Sequence, residues 1–89
     1  MIRTKEGFIL QKMLDAYMII AIGKAGEQFH DILKTNETGA FYWRMLQKGT
    51  TVEEMVEESL QRFENLSAEE AREDIEAFLQ SIADTVEEA

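Results

Sequence analysis

The sequence predicts a small α+β domain in which a three-stranded antiparallel sheet is followed by three α-helices. The first third of the chain holds short apolar runs rich in β-branched and aromatic residues, which are typical of strands. The remainder repeats apolar residues at helical spacing behind capping signals, and no proline interrupts it. We expect strands at about residues 7–14, 17–22 and 29–34, and helices at about residues 36–48, 52–63 and 68–86.

Two apolar runs, residues 7–14 and 17–22, lie on either side of Asp15-Ala16, and this spacing suits a tight hairpin. Helix is the competing interpretation for residues 8–22, because methionine, leucine and alanine also favour helices. The isoleucine-rich second run and the glycines at both ends favour two strands instead.

The third strand, residues 29–34, follows a turn that Gly23 and Gly26 indicate. It is the weakest of the three strand signals, and it alone mixes charged or polar residues with apolar ones. A three-stranded sheet must leave edges, and an edge strand presents unpaired backbone donors and acceptors. The mixed composition therefore favours the third strand as an exposed edge to which a further strand can add.

The three helices have clear starts. Asn36 is a good N-cap for the first helix, with Thr35 nearly as good, and Gly49 ends that helix. Residues 51–54 and 67–70 both match the capping-box pattern and begin the second and third helices. The apolar faces behind these caps are Ala40, Phe41, Trp43, Met45 and Leu46; then Val52, Met55, Val56, Leu60 and Phe63; then Ala68, Ala71, Ile75, Phe78, Leu79, Ile82 and Val86.

Each amphipathic helix has one face to bury, and three such faces against one side of a small sheet make a compact α+β core. Two helices joined by a short turn, with a hairpin attached, also describe a winged helix-turn-helix. With 89 residues the chain has interior for a single core, so we expect one domain over residues 1–89.

Composition excludes several classes of protein. The chain has no cysteine, which excludes disulfides, thiolate metal sites, iron–sulfur clusters and a cysteine nucleophile. No stretch approaches the roughly 18 apolar residues of a membrane span, and the charged N-terminus does not fit a signal peptide. These features predict a cytoplasmic protein, since lack of cysteine is consistent with a reducing compartment.

The charge is divided unevenly along the chain. Residues 1–51 carry a net +2, whereas residues 52–89 carry −11, which gives −9 in total. Solubility is the simplest reason for such an acidic half. A DNA-reading helix needs lysine or arginine toward phosphates, but Arg62 and Arg72 are each surrounded by glutamates, so we expect no nucleic-acid and no membrane partner.

Signals for catalysis are weak. The single histidine, His30, has no cysteine partner and no serine nucleophile motif near it. Adjacent glutamates on a helix point about 100° apart, so the glutamate pairs are solvated faces and not metal sites. Phe41 and Trp43 are expected in the core, with Tyr42 half exposed. We expect no enzyme, no metal and no cofactor.

The run Asn36-Glu37-Thr38-Gly39-Ala40-Phe41, followed by Trp43, Leu46, Gly49 and Thr51, is the most specific motif of the chain. In this order and with this spacing it resembles the coenzyme PQQ synthesis protein D (PqqD) family, over about residues 7–82. Thr35 departs from that pattern, since the family usually carries leucine there.

The resemblance implies a winged-helix-like peptide-recognition module that is not itself an enzyme. Such a module holds the leader of a ribosomally made precursor peptide for a maturation enzyme such as a radical SAM enzyme, a cyclase or a protease. The leader would add as a strand on the edge of the third strand, in a groove shared with the third helix. The implied peptide-binding residues are Phe29, His30, Asp31, Ile32, Leu33, Lys34, Ala71, Arg72, Ile75, Glu76 and Leu79.

Within this site, Ile32 or Leu33 is expected to line an apolar pocket with Ile75 and Leu79. Arg72 and Glu76 are expected to flank the groove, and Arg72 is a candidate partner for an acidic leader residue. A surface ion pair of Arg72 with a glutamate of its own helix is an equally good interpretation. A protein–protein adaptor that docks a folded partner on its acidic helices is the alternative function. A bare sheet edge also permits dimerisation, so the oligomeric state is open.

Overall fold

A computed structural model describes residues 1–28 and 32–89 of the chain, with Gln28 described by its backbone alone. Five strands and four α-helices make up this part of the protein. In chain order they are β1 (Ile2–Thr4), β2 (Phe8–Met13), β3 (Ala16–Ala21), α1 (Lys24–Gln28), β4 (Leu33–Thr35), α2 (Glu37–Lys48), α3 (Val52–Arg62), α4 (Ala68–Ser81), a 3-10 turn (Ala83–Thr85) and β5 (Val86–Glu88).

The central sheet has the order β2-β3-β4 and is antiparallel throughout, so the predicted fold class is confirmed. Its hairpin closes at the pair Met13 and Ala16, which leaves Leu14 and Asp15 as the turn. The predicted turn, Asp15-Ala16, was therefore one residue late. Leu14 has a φ of 58° and its side chain is 93% exposed, a conformation that leucine rarely adopts.

A second, two-stranded sheet joins the two ends of the described chain, and the sequence did not predict it. β1 pairs antiparallel with β5, and Ile2 also exchanges backbone hydrogen bonds of 2.7 and 2.9 Å with Thr50, between α2 and α3. Arg3 forms an ion pair of 3.1 Å with Glu87 across the two strands. Three-residue strands more than 80 residues apart carry no local signal, because their pairing partner supplies the stabilisation.

The last helix ends at Ser81, so the predicted helix over 68–86 was five residues too long. Its apolar spacing continues through Ile82 to Val86, but Val86 packs against the core from β5. At the stop, Thr85 donates hydrogen bonds from its amide (2.8 Å) and its hydroxyl (2.7 Å) to the carbonyl of Ile82, the C-cap residue of α4. After this turn the chain continues as β5, which pairs with β1.

Two further boundaries differ from the prediction. The segment expected to be a turn at residues 23–26 contains the start of α1, a helix of five residues. The third strand of the sheet runs over Leu33–Thr35 and thus includes Thr35, which had been considered as a helix cap. The first part of the predicted strand, residues 29–31, lies outside the described residues.

The predicted helix caps explain why the helices begin where they do. Asn36 accepts a hydrogen bond of 2.9 Å from the Gly39 amide, and Ser67 and Glu70 form a reciprocal capping box, as predicted. At the start of α3, Thr51 accepts a bond from the Glu54 amide. The second half of that predicted box is wrong, because the Glu54 carboxylate accepts its bond from the Thr50 hydroxyl.

The core lies between the sheet and helices α2, α3 and α4. It is centred on Ile19, Trp43, Leu46, Met55 and Ile75, none of which is exposed. Tyr42, expected to be half exposed, is buried because the Phe78 ring and α4 cover it. No helix within residues 1–28 and 32–89 is long and apolar enough to cross a membrane.

Candidate functional site

The hydrogen bonds of the hairpin determine which backbone groups face outward from the sheet. The Ile22 amide donates a bond of 2.6 Å to the Gly7 carbonyl, and these two residues continue the β2–β3 register by one step. In an antiparallel ladder, bonded and non-bonded pairs alternate. Even-numbered residues of β3 therefore bond to β2, whereas the odd-numbered Tyr17 and Ile19 turn their backbone groups toward β4.

The same alternation carries over to β4. Leu33 lies opposite Ile19 and Thr35 opposite Tyr17, so both bond inward to β3. Lys34, between them, turns its N–H and C=O away from the sheet, and the Ile32 carbonyl also points outward, because it lies opposite the inward Leu33 N–H across a planar peptide. Within residues 1–28 and 32–89 no strand pairs with this outer side of β4. The edge is open to an added strand.

A groove begins where β4 ends and passes between the start of α2 and one face of α4. Its cavity measures about 320 Å³ and is lined by Thr35, Asn36, Thr38, Gly39, Tyr42, Asp74, Ala77 and Phe78. The open edge and this groove are continuous, because Thr35 belongs to both. An extended segment on β4 would thus direct alternate side chains toward α4.

Gly39 allows the close packing at the base of the groove. A Cβ atom on this residue would overlap the Thr35 hydroxyl oxygen and lie 3.1 Å from Cε1 of Phe78. The absence of a side chain at Gly39 thus brings β4, α2 and α4 together at one point. This reason for a glycine inside a helix is steric, since glycine lowers helix stability by itself.

A hydrogen bond fixes α2 to α4 beside the cavity. The Tyr42 hydroxyl donates to Oδ2 of Asp74 at 2.6 Å, and the Tyr42 and Phe78 rings lie 5.3 Å apart, centre to centre. Burial, helped by the bond to Asp74 and by its negative charge, raises the pKa of Tyr42 well above its usual range. The phenol therefore remains neutral and continues to donate at all physiological pH values.

The helix residues predicted for the site do not lie together. Ala71 and Ile75 have no exposed surface and hold α4 to the core. Arg72 points toward α3, where it lies 3.9 Å from Glu53, so its partner is not a glutamate of its own helix as considered from the sequence. Glu76 and Leu79 line a second, more open depression on α4, which adjoins the groove at Ala77. The face of α4 that meets β4 carries other residues.

The strand residues of the predicted site divide in a similar way. Ile32 and Lys34 are exposed at the open edge, while Leu33 is half-buried against the core. The predicted residues Phe29, His30 and Asp31 lie outside the described part of the chain. The predicted edge strand, residues 29–34, overlaps β4 at Leu33 and Lys34, and β4 lies at the edge of the sheet, although strand addition itself is a proposal developed below.

Sequence reasoning missed four residues that line the groove: Thr35, Gly39, Asp74 and Phe78. Asp74 and Phe78 are four residues apart on α4, and each follows a buried residue, Ala71 or Ile75, by three positions. The two pairs therefore lie on adjacent sides of the helix. This spacing was a usable signal, but the side of the buried stripe that faces β4 depends on how α4 packs. Gly39 belonged to the recognised motif without a structural reason for its being glycine.

The groups that line this site are suited to binding a polypeptide. In the described part of the chain, no three histidine, aspartate or glutamate side chains are arranged to hold a metal ion. The groove offers backbone donors and acceptors, apolar surface from Ala77 and Phe78, and one carboxylate engaged by Tyr42. These groups suit an extended polypeptide, whose backbone pairs with the edge while its side chains enter the groove.

The fold and the site define a class: a winged-helix-like α+β domain with an open sheet edge beside a helix-lined groove. A model of the family described as "Coenzyme PQQ synthesis protein D (PqqD)" matches residues 10–85. The chain therefore belongs to the PqqD family, and the resemblance noted in the sequence is confirmed. A comparison with curated protein sequences gives no match.

Two solved structures share the fold. One is described as "Lasso peptide synthetase B1 complexed with the leader peptide", with a TM-score of 0.74 and 13% identity over 98% of both chains. The other is "TbiB1 in Complex with the TbiA(beta) Leader Peptide", with a TM-score of 0.71 and 15% identity over 92% of this chain and 88% of that one. At such low identity the similarity concerns the fold alone.

Proposed function

We propose that this protein binds the leader of a ribosomally made precursor peptide as an additional strand on β4. The observation that carries the proposal is the open edge of β4, where Lys34 turns its N–H and C=O, and Ile32 its C=O, outward beside the groove. Membership of the PqqD family supports it, as do the two neighbours of similar fold whose structures contain leader peptides.

The protein itself carries out no chemistry in this proposal. It presents the bound leader to a separate maturation enzyme, such as a radical SAM enzyme, a cyclase or a protease, in the cytoplasm. The whole of residues 1–89 acts as one recognition domain. Of the residues implied by the family resemblance, Phe29, His30, Asp31, Ile32, Leu33 and Lys34 keep their proposed place along the peptide.

We revise the helix side of the proposed site. Ala71 and Ile75 support α4 from the core, while Asp74, Ala77 and Phe78 face the peptide. Arg72 lies toward α3, whereas Glu76 and Leu79 line the depression that adjoins the groove at Ala77, and we assign all three a position outside the groove.

A proline at Lys34 tests strand addition directly. Proline removes the outward N–H and places a ring where the added strand must approach, yet breaks no bond to β3. Loss of one backbone bond corresponds to about 1 kcal/mol, or roughly a five- to tenfold weaker binding, and the ring adds to this. Lys34→Ala keeps the N–H and should weaken binding much less.

Lys12→Pro is the matched control. Lys12 is an exposed lysine on β2, the other edge of the sheet, and its N–H also points outward because Gln11 and Met13 bond to β3. The probes are synthetic segments of the short open reading frames near the gene for this protein, each titrated as a candidate leader into labelled protein by amide NMR. Strong weakening by Lys34→Pro alone supports the proposal.

Two results would count against strand addition on β4. Equal binding by both proline variants, each shown to be folded, would place the peptide elsewhere. Absence of binding to the leader at millimolar concentration would favour the alternative function, a protein–protein adaptor that docks a folded partner on its acidic helices.

A further inference from the structure

The outer face of the sheet, which points away from the helices, has a lysine at its open edge. Gln11, Met18 and Lys34 lie in register across the three strands and therefore point to this one face. Lys34 is exposed, and none of the ion pairs in the described residues includes it. Its charge is thus available to the strand that would lie beside β4.

Next to this row the same face is apolar. Ile9 lies opposite Ile20, and continuing the β3–β4 register by one residue brings Ile32 opposite Ile20 as well. Ile9 and Ile32 are 38% and 58% exposed, which is high for isoleucine. At the edge, an apolar position and a cationic position thus stand two residues apart on one face.

The inner side of the proposed peptide strand meets a different environment. There α4 contributes the carboxylate of Asp74, and the second half of the chain carries the net −11 charge. An acidic side chain of the peptide would be repelled on that side, whereas Lys34 attracts it on the outer side. Cross-strand pairs of opposite charge are stabilising and like-charge pairs are destabilising.

We propose that β4 selects an extended peptide carrying an aspartate or glutamate opposite Lys34 and an apolar residue opposite Ile32. The inference rests on the proposed strand addition and specifies the class of leader recognised. In the antiparallel arrangement, which continues the pattern of this sheet and is slightly the more stable, the peptide reads acidic–any–apolar from its N-terminus. The residue between them points inward to the groove.

A selection experiment tests the charge position without knowledge of the natural leader. Random ten-residue peptides displayed on phage are selected against the wild-type protein, Lys34→Glu and Lys48→Glu. Lys48 is the matched control because it is exposed, lies in the last turn of α2 and undergoes the same change of charge. Selected peptides are then synthesised and their affinities are measured for all three proteins.

We expect wild type and Lys48→Glu to select one fixed aspartate or glutamate, followed two residues later by an apolar residue. Lys34→Glu should replace that acidic position with lysine or arginine. An acidic peptide should bind Lys34→Glu about fivefold more weakly than it binds Lys48→Glu, the effect of exchanging an attractive cross-strand pair for a repulsive one.

Failure of this inference differs from failure of the proposed function. Peptides that bind β4 and are lost with Lys34→Pro, but show no acidic position or no change with Lys34→Glu, would overturn the charge selection and leave strand addition standing. Peptides that bind Lys34→Pro as well as the wild type would overturn both. A reversal of the apolar and acidic order would overturn the antiparallel arrangement.

Discussion

The Tyr42 hydroxyl lies 2.6 Å from Oδ2 of Asp74 and joins α2 to α4 at the wall of the groove. Tyr42 is only 2% exposed, whereas Asp74 lies at the surface, so the bond joins a buried phenol to a partly solvated carboxylate. Hydrogen bonds to charged groups contribute more to stability than neutral ones. The pair therefore connects the stability of the domain to the shape of its candidate binding site.

Removal of this hydroxyl should destabilise the domain and reduce the loss of stability at alkaline pH. We expect Tyr42→Phe to lower the free energy of unfolding at pH 7 by about 1.5–3 kcal/mol. The pKa of Tyr42 is raised in the folded protein, so its contribution is complete below about pH 10 and is lost as the pH rises further. Wild type should thus lose stability above about pH 10 more steeply than Tyr42→Phe.

Urea denaturation at several pH values measures this difference. Tyr17→Phe is the matched control, since Tyr17 packs against Lys12 and Arg44 and makes no hydrogen bond to a carboxylate in the described residues. If wild type and Tyr42→Phe lost stability equally steeply above about pH 10, the pKa of Tyr42 would not be raised in the folded protein.

The close contact at Gly39 predicts a destabilising effect of a single methyl group. Helix propensity alone would make Gly39→Ala more stable by about 0.5–1 kcal/mol. The methyl group would however meet Thr35 and Phe78, and overpacking of this kind costs about 1–3 kcal/mol. We expect a net loss in thermal and chemical denaturation. Thr35→Ala combined with Gly39→Ala should recover part of it, and a stabilised Gly39→Ala would disprove the contact.

The capping box of α4 predicts an acid-sensitive contribution to stability. Ser67→Ala should lower the free energy of unfolding by about 1 kcal/mol, because the Glu70 amide loses its acceptor. The bonds from Ser67 lower the pKa of Glu70, so its contribution is present at neutral pH and is lost as the pH falls below the ordinary range for glutamate. Glu70→Gln retains the cap without the charge.

Glu70→Gln should therefore show a shallower loss of stability in acid than the wild type, as measured by denaturation between about pH 6 and pH 3. Glu69→Gln, at the neighbouring and equally exposed position, provides the control for the loss of one carboxylate. If both variants reduced the loss of stability in acid equally, the change in net charge, and not the loss of the charged capping residue, would explain the effect.

The hairpin turn predicts a stabilising substitution. Leu14 has a φ of 58°, a region in which a side chain costs about 1–2 kcal/mol, and its side chain is almost fully exposed. Leu14→Gly removes this strain and should raise the free energy of unfolding by about 0.5–1 kcal/mol after the entropy of glycine is deducted. Leu14→Ala, which keeps the strain, should not. Denaturation curves of the two variants decide the matter.

Two glutamine substitutions on α4 distinguish the two sides of this helix. Ala77→Gln places a larger, uncharged side chain at the groove and should weaken leader binding several-fold. Arg72→Gln changes a residue on the α3 side and should leave binding unchanged, with stability altered by less than about 1 kcal/mol because its ion pair is exposed. If Arg72→Gln weakened leader binding and Ala77→Gln did not, the peptide would contact the helix residues predicted from the sequence.

Local chemistry made much of the fold predictable. The cap residues Asn36 and Ser67 act within three residues of themselves, and their function follows from the neighbouring sequence. The hairpin and the three long helices follow from apolar periodicity in the same way. The pairing of β1 with β5 was not predicted, because strands of three residues at opposite ends of the described chain have no periodic signal.

The candidate site shows the same division. The sequence by itself determined that the third strand of the sheet mixes polar with apolar residues, that Asn36 and Gly49 bound α2, and that α4 has an apolar stripe that includes Ala71 and Ile75. It did not determine which flank of that stripe faces β4. Periodicity sets the direction of side chains relative to their own helix, but packing sets the rotation of the helix against its neighbours.

Only the tertiary structure assigned Asp74 and Phe78 to the groove and Arg72 to α3. The hydrogen-bond alternation that turns the Lys34 amide outward likewise depends on the register between three strands. Register and helix rotation are collective properties, fixed when many weak contacts are satisfied at once, whereas a cap or a turn is fixed by a few adjacent residues.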